Sequence, residues 1–222
     1  MSSSDEARGE PPDILNGHTL PFIVFIALTA LTPLVPGGVF VIYPLKTVLA
    51  AGMLWYFRRD YSELSKWHFH WLALPVGLLV TLLWVGMDGF YPKTAVAEGF
   101  NPFTTGAPGL DWLGAGIRLG GSTLVVPVME ELFWRSWLLR FLIDRDDFRR
   151  VPVGRFSGFG FCVSILLFGL EHDRWLAGIL AGAIYAALVY WRKEIRTAIV
   201  AHAVTNFALG LYVIAARAWT FW

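Results

Sequence analysis

Charge is what this sequence has least of. Only 16% of its 222 residues are Asp, Glu, Lys or Arg, against roughly 25% in ordinary soluble domains. With 56% hydrophobic residues beside them, no single soluble core of this size could hide the apolar side chains. The same composition excludes general disorder. Cysteine is nearly absent as well. Cys162 stands alone, which excludes an intrachain disulfide and a four-cysteine metal site, and its apolar surroundings make it an expected packing residue. A net charge of +1 provides no basic field to recruit nucleic acid, so no nucleic-acid partner is expected. Residues 1–18 lack the apolar core of a signal peptide. They are expected to form a disordered tail, with 19–222 as one transmembrane domain.

What the chain does have is long apolar runs, at 20–35, 39–57, 69–87, 112–143, 156–170, 175–191 and 197–216. At about 20 residues per crossing they make about seven transmembrane helices. They are continuous rather than alternating, which excludes a membrane β-barrel. The expected fold class is all-α, a polytopic membrane helical bundle. In the fourth run, Gly114, Gly116, Gly120 and Gly121 call for a bend before a span that begins near Ser122. Basic residues gather after the second, fourth and sixth runs, for example Arg58, Arg59, Arg149, Arg150, Arg192 and Lys193. That asymmetry puts the amino terminus on the cytoplasmic side.

Each charge at mid-membrane costs about 2.5 to 3.5 kcal/mol on insertion scales, so the polar residues inside the runs need a reason. Lys46 is isolated and is expected to snorkel or to line a groove. The others form three clusters: Glu130, Glu131 and Arg135 in the fourth run, Phe168 to His172 ending the fifth, and His202 with Asn206 in the seventh. Glu131 and Arg135 are i and i+4, so they share a helix face and can neutralise each other. Glu130 points about 100° away, with Trp134 at its own i+4 position, and is left as the acid without a local cation. That makes it the candidate general base. Pro127 cannot donate to the Thr123 carbonyl, so the helix should kink there and open a polar pocket. His202 and Asn206 are again i and i+4 and could aim two donors at one oxygen, as an oxyanion hole requires.

Each cluster also has a plainer reading. The glutamates could be a charge knot, the His202 and Asn206 pair interhelical glue, and His172 a solvated residue at a span end. Nor are the clusters level on straight spans. His202 lies about 9 Å inward from Arg196, whereas His172 is about 25 Å from Arg155. Either the fifth helix starts late, near Phe159, and tilts, or its first segment lies in the membrane interface.

Taken in order, Glu130-Glu131-x-x-x-Arg135, Phe168-x-x-x-His172 and His202-x-x-x-Asn206 resemble the motif set of the CAAX-protease and bacteriocin-processing family. These are intramembrane glutamic endopeptidases that include the prenyl-protein peptidases. The resemblance covers the motif core, 122–210, and leaves the first two helices outside. It implies that Glu130 and His172 hold and activate the attacking water and that His202 and Asn206 stabilise the oxyanion. Glu131, Arg135 and Phe168 would support the site. The resemblance implies no cofactor and no metal. The partners it implies are membrane lipids and a peptide or lipidated protein substrate, in a minimal member of bacterial type. Two rivals remain. One is a metal-dependent membrane peptidase with zinc on Glu130, His172 and His202, although the chain has no HExxH. The other is a non-catalytic peptide-binding or immunity membrane protein using the same polar cluster.

Overall fold

Inside lipid a backbone must satisfy its own hydrogen bonds, which leaves continuous apolar runs only the helix. The computed structural model describes residues 14–65, 69–94 and 99–222, and each of the seven runs is helical in it. The helices are α1 (Leu20–Leu31), α2 (Gly38–Tyr56), α3 (Ala73–Gly86), α4 (Pro108–Phe141), α5 (Gly158–Leu170), α6 (Trp175–Arg192) and α7 (Arg196–Ala216). Among the described residues there is no strand. Four of the helices, α2, α4, α6 and α7, are long and apolar enough to cross a bilayer, and α1, α3 and α5 are shorter apolar helices.

Side chains are distributed inside out relative to a soluble protein. Leu34, Val48, Leu82 and Leu124 face outward, while Lys46, Glu130, Glu131 and Arg135 are buried. That arrangement suits a lipid solvent and marks an integral membrane bundle. It also corrects the expectation for Cys162, which is exposed on α5. The inward stripe of α5 is Gly160, Ser164 and Phe168, at i, i+4 and i+8, and Cys162 falls on the opposite side of the turn.

The bundle is built from paired helices: α1 with α2, α3 with α7, and α5 with α6. Small residues set two of these contacts, as they do where helices meet in membranes. A Cβ on Gly77 of α3 would lie 2.6 Å from Val204 Cβ on α7. One on Gly169 of α5 would strike Ile179 and come within 2.7 Å of the Trp175 carbonyl on α6.

Helix α4 carries the first motif and stays helical through its glycines, so the bend expected before Ser122 is absent as a break. The irregularity takes the form of two π-helical segments, Gly121–Val125 and Leu132–Leu138. Helix α5 does start late. The Ser157 hydroxyl caps it by accepting the Gly160 N–H at 3.2 Å, after a turn in which Gly154 adopts φ +77°. His172 therefore sits just beyond the end of a 13-residue helix and not at the end of a full-length span.

Most of the expected tail, residues 1–13, lies outside the described residues. At its inner end the expectation is corrected, because Asn16 and His18 are buried. The Tyr61 hydroxyl donates to the Gly17 carbonyl at 2.8 Å, and His18 Nε2 lies 2.9 Å from Glu63 Oε1. Glu63 also accepts from the Ser136 hydroxyl and lies 3.1 Å from Arg140 Nη2. This clasp, in the connection between α2 and α3, ties the start of the chain to α4. Burial works against ionisation of Glu63, but hydrogen bonds from His18 and Ser136 and the charge of His18 outweigh it and hold the carboxyl down at about 2.

Two predictions follow from these contacts. Gly169→Ala should lower stability by about 1 to 3 kcal/mol through overpacking, read as a fall in thermal midpoint in detergent micelles. Glu63 titrates below its ordinary 4.5 in the folded protein, so its contribution is complete above that value and is lost as pH falls toward about 2. Its size is on the order of 3 kcal/mol. Chemical unfolding across that interval should show the loss in the wild type, and Glu63→Gln should flatten it.

Candidate active site

One cavity of about 460 Å³ opens among the seven helices, and Glu130, His172, His202 and Asn206 all line it, with Phe168 in its wall. Three helices bring the three motifs to this one space. Glu131 and Arg135 lie behind it, fully buried.

Glu131 is held from two sides. Arg135 Nε lies 3.3 Å from Oε2, one helical turn along α4, and His202 Nδ1 lies 3.0 Å from Oε1. The Arg135 guanidinium donates to the Gly182 carbonyl of α6 at 3.3 Å and lies 4.3 Å over the Phe168 ring of α5. A buried charge pair survives desolvation only with such further contacts. The carboxylate also orients the imidazole. With Nδ1–H directed at Glu131, Nε2 is turned toward the cavity, 4.0 Å from Glu130 Oε2. Tyr185 stacks on the other side of the His202 ring, centroids 5.0 Å apart and planes 19° apart. The Tyr185 hydroxyl donates to Thr205 at 2.7 Å.

Glu130 is 5% exposed, and its Oε2 has no hydrogen-bond partner in the protein. His172 has its Nδ1 2.8 Å from the Phe168 carbonyl. A carbonyl can only accept, so Nδ1 carries the proton and the neutral ring leaves Nε2 as an acceptor. The Trp84 and Phe168 rings pack against His172 at 5.3 and 5.0 Å between centroids, so it is not the solvated residue of the plainer reading.

The π turn explains the position of Asn206. The Val126 N–H bonds back five residues, to the Gly121 carbonyl. In that register the next donor, due at the Ser122 carbonyl, is Pro127, which has no N–H. Asn206 Nδ2 supplies it instead, at 2.8 Å. The proline thus frees a carbonyl that anchors the amide of another helix, and one amide hydrogen remains available toward the cavity.

Among the described residues, no three of His, Cys, Asp and Glu converge closely enough to hold a metal ion. Several cavity residues escaped the motif reading: Tyr185, Glu171, Arg118 and Trp84. Glu171 had a visible signal, a carboxylate beside His172 at a span end. Tyr185 had a weaker one, as a lone phenol in an apolar helix. Nothing local marks Trp84 or Arg118, which reach the cavity through packing alone.

Fold and site together define a helical integral membrane protein with a buried polar cavity of acid, imidazole and amide groups. Residues 113–208 match a family model described as type II CAAX prenyl endopeptidase, Rce1-like. That stretch, somewhat under half of the chain, is similar to the CAAX-protease family that its three motifs resemble, and the family implies a peptidase, a hydrolase of the membrane. The match takes in all three motifs and leaves α1 to α3 outside. No curated protein and no solved structure matches the chain.

Arg135→Gln should cost about 3 to 5 kcal/mol, the penalty for leaving a buried partner charge uncompensated. Arg135→Gln combined with Glu131→Gln should be less destabilised than the single variant. Thermal unfolding of the three proteins in one detergent checks this.

Proposed function

We propose that the chain is an intramembrane endopeptidase of the glutamic type, acting on a membrane-associated or lipidated peptide, with 122–210 as its catalytic core. The observation that carries the reading is that Glu130, His172, His202 and Asn206, drawn from all three motifs, line a single cavity. In this reading the nucleophile is a water molecule. It is held between Glu130 and the Nε2 acceptor of His172. Glu130 takes one proton as the water oxygen bonds to the scissile carbonyl carbon.

The tetrahedral oxyanion then accepts from the free amide hydrogen of Asn206 and from His202 Nε2. Because Nδ1–H faces Glu131, Nε2 donates only in the imidazolium form, and Glu131 and Glu130 flank that charge. Collapse of the intermediate breaks the C–N bond, and Glu130 returns its proton to the departing amine. Glu131, Arg135 and Phe168 hold this geometry without touching substrate chemistry. The protein sits in a bacterial cytoplasmic membrane with its amino terminus on the cytoplasmic side.

The test uses purified protein in vesicles and a pool of peptides bearing an S-farnesyl cysteine followed by three randomised residues, with products read by mass spectrometry. Glu130→Ala and His172→Ala should each abolish cleavage while the protein remains folded. Asn206→Ala should lower turnover by about 10² to 10³, as for loss of one oxyanion donor. Full activity of the Glu130→Ala protein would overturn the mechanism.

A further inference from the structure

His172 lies beyond the last turn of α5, in the connector 171–174 that leads to α6. Its ring geometry depends on how α5 ends. The His172 N–H donates to the Gly169 carbonyl at 3.1 Å, a step of three residues where a regular α-helix takes four. The Phe168 carbonyl, which a further α-helical turn would engage, is left to accept the imidazole Nδ1–H at 2.8 Å. One more residue of regular helix would return that carbonyl to the backbone. The imidazole therefore keeps its orientation only if the chain leaves the axis of α5 at a fixed point.

Arg174 supplies the restraint. It stands at the cap position of α6, where its carbonyl accepts the Gly178 N–H at 2.9 Å, but its side chain makes no capping bond. Local physics does not favour arginine there. Short acceptors such as Ser or Asp satisfy the first N–H groups of a helix, and a cation meets the positive end of the helix dipole. The side chain is committed to distant partners instead, and the residue is 7% exposed. Nε donates to Asp88 Oδ1 at 2.5 Å, Nη1 donates to the Thr220 carbonyl at 2.9 Å, and the guanidinium lies 3.8 Å over the Phe221 ring.

Asp88 follows α3 and Thr220 follows α7, so one rigid planar fork ties the connector to two separate segments. Neighbouring bonds run the same way. The Asp173 carbonyl accepts the Thr94 N–H at 3.1 Å, and Trp175 Nε1 donates to the Pro92 carbonyl at 2.9 Å. Asp173, Arg174, Thr220 and Phe221 line the cavity together with His172, so this clamp is part of the wall that carries the imidazole. Both holding segments, 88–94 and 219–221, lie outside the matched residues 113–208.

We propose that Arg174 is a positioning residue for His172: by binding Asp88 and the Thr220 carbonyl at once, it fixes the point where the chain leaves α5 and so holds the imidazole with Nδ1 on the Phe168 carbonyl and Nε2 toward the cavity. The proposal rests on the peptidase reading only for what the imidazole does there. Arg174 itself touches no reacting atom. Lys93 provides a control, because its Nζ lies 2.8 Å from Asp88 Oδ2 but comes from the 88–94 segment itself and adds no tie to the connector.

The test reads the imidazole directly, by nuclear magnetic resonance of isotope-labelled histidine in detergent micelles. The wild type should show exchange-protected Nδ1–H resonances for His172 and for His202, whose Nδ1 is held 3.0 Å from Glu131. Each is assigned by its disappearance in His172→Gln or His202→Gln. In Arg174→Gln the His172 resonance should be lost to water exchange while that of His202 stays. Arg174→Lys keeps the charge without the planar fork and should restore part of the signal, whereas Lys93→Gln should leave both signals and turnover unchanged. On the S-farnesyl peptide pool, Arg174→Gln should lower kcat by about 10- to 100-fold, the effect of a displaced catalytic group, with KM little changed.

A wild type without a protected His172 resonance, or an unchanged one in Arg174→Gln, overturns the proposal. So does loss of both resonances, which would make the clamp a support of the whole fold. Selective loss of the His172 signal with full turnover also overturns it, since the imidazole would then need no holding. Selective loss in a protein whose wild type cleaves no peptide supports the clamp and counts against the peptidase reading.

Discussion

The buried carboxylate of Glu131 is the contact on which the rest of the site depends. It holds Arg135 on its own helix and His202 on α7, and through Arg135 it reaches the Gly182 carbonyl of α6 and the Phe168 ring of α5. Four helices are thus referenced to one group that is 0% exposed. Such a pair adds little net stability over an apolar core, yet breaking it is expensive. What it does contribute is direction. With Nδ1 of His202 committed to Glu131, the other ring nitrogen has one orientation, into the cavity. The same logic applies to His172, whose Nδ1 is committed to the Phe168 carbonyl. Both imidazoles are therefore oriented by a hydrogen bond on the far side of the ring.

A backbone irregularity performs the corresponding task for the amide. The π turn and Pro127 together leave the Ser122 carbonyl without a helical donor, and Asn206 crosses from α7 to fill it. Each feature alone would be a defect in a membrane helix. With Pro127 five residues after Ser122, they convert an unsatisfied carbonyl into a positioning contact at the cavity wall. Non-regular backbone at membrane depth is tolerated where it borders a polar space, and here the lost backbone bond is replaced across the helix interface.

The polar site also explains how helices too short to cross alone fit into the bundle. Helix α5 begins late because its cap is Ser157 and its preceding turn needs Gly154, and that start delivers His172 to the cavity instead of to the far surface. Helix α1 adds Phe25 and Thr29 to the cavity wall, and α2 adds Tyr43 and Lys46. The outward surfaces meanwhile carry leucine and valine, as a lipid solvent demands. Around the cavity, Lys46, Glu130, Glu131 and Arg135 lie within while the leucines and valines of the same helices are displayed without.

Much of this was legible in the chain. Continuous apolar runs can only be helices in lipid, so all seven were readable. The pairing of Glu131 with Arg135 follows from 3.6 residues per turn. The same periodicity separated Glu130 from its neighbour as the acid without a cation. Other features lay beyond one-dimensional reading. A packing role for Cys162 failed because apolar neighbours do not reveal which face of a helix turns outward. The order of Asn16 to His18 depends on Glu63, a contact between residues 45 apart. The anchoring of Asn206 on Ser122 spans 84 positions. The sequence by itself determined the lipid setting, the helices and the local partners within a turn, because these are set by transfer energies and periodicity. Which nitrogen of each histidine faces the cavity, and that Lys46, Arg118 and Glu130 share it, only the tertiary structure decided, because those facts depend on how separate helices are packed.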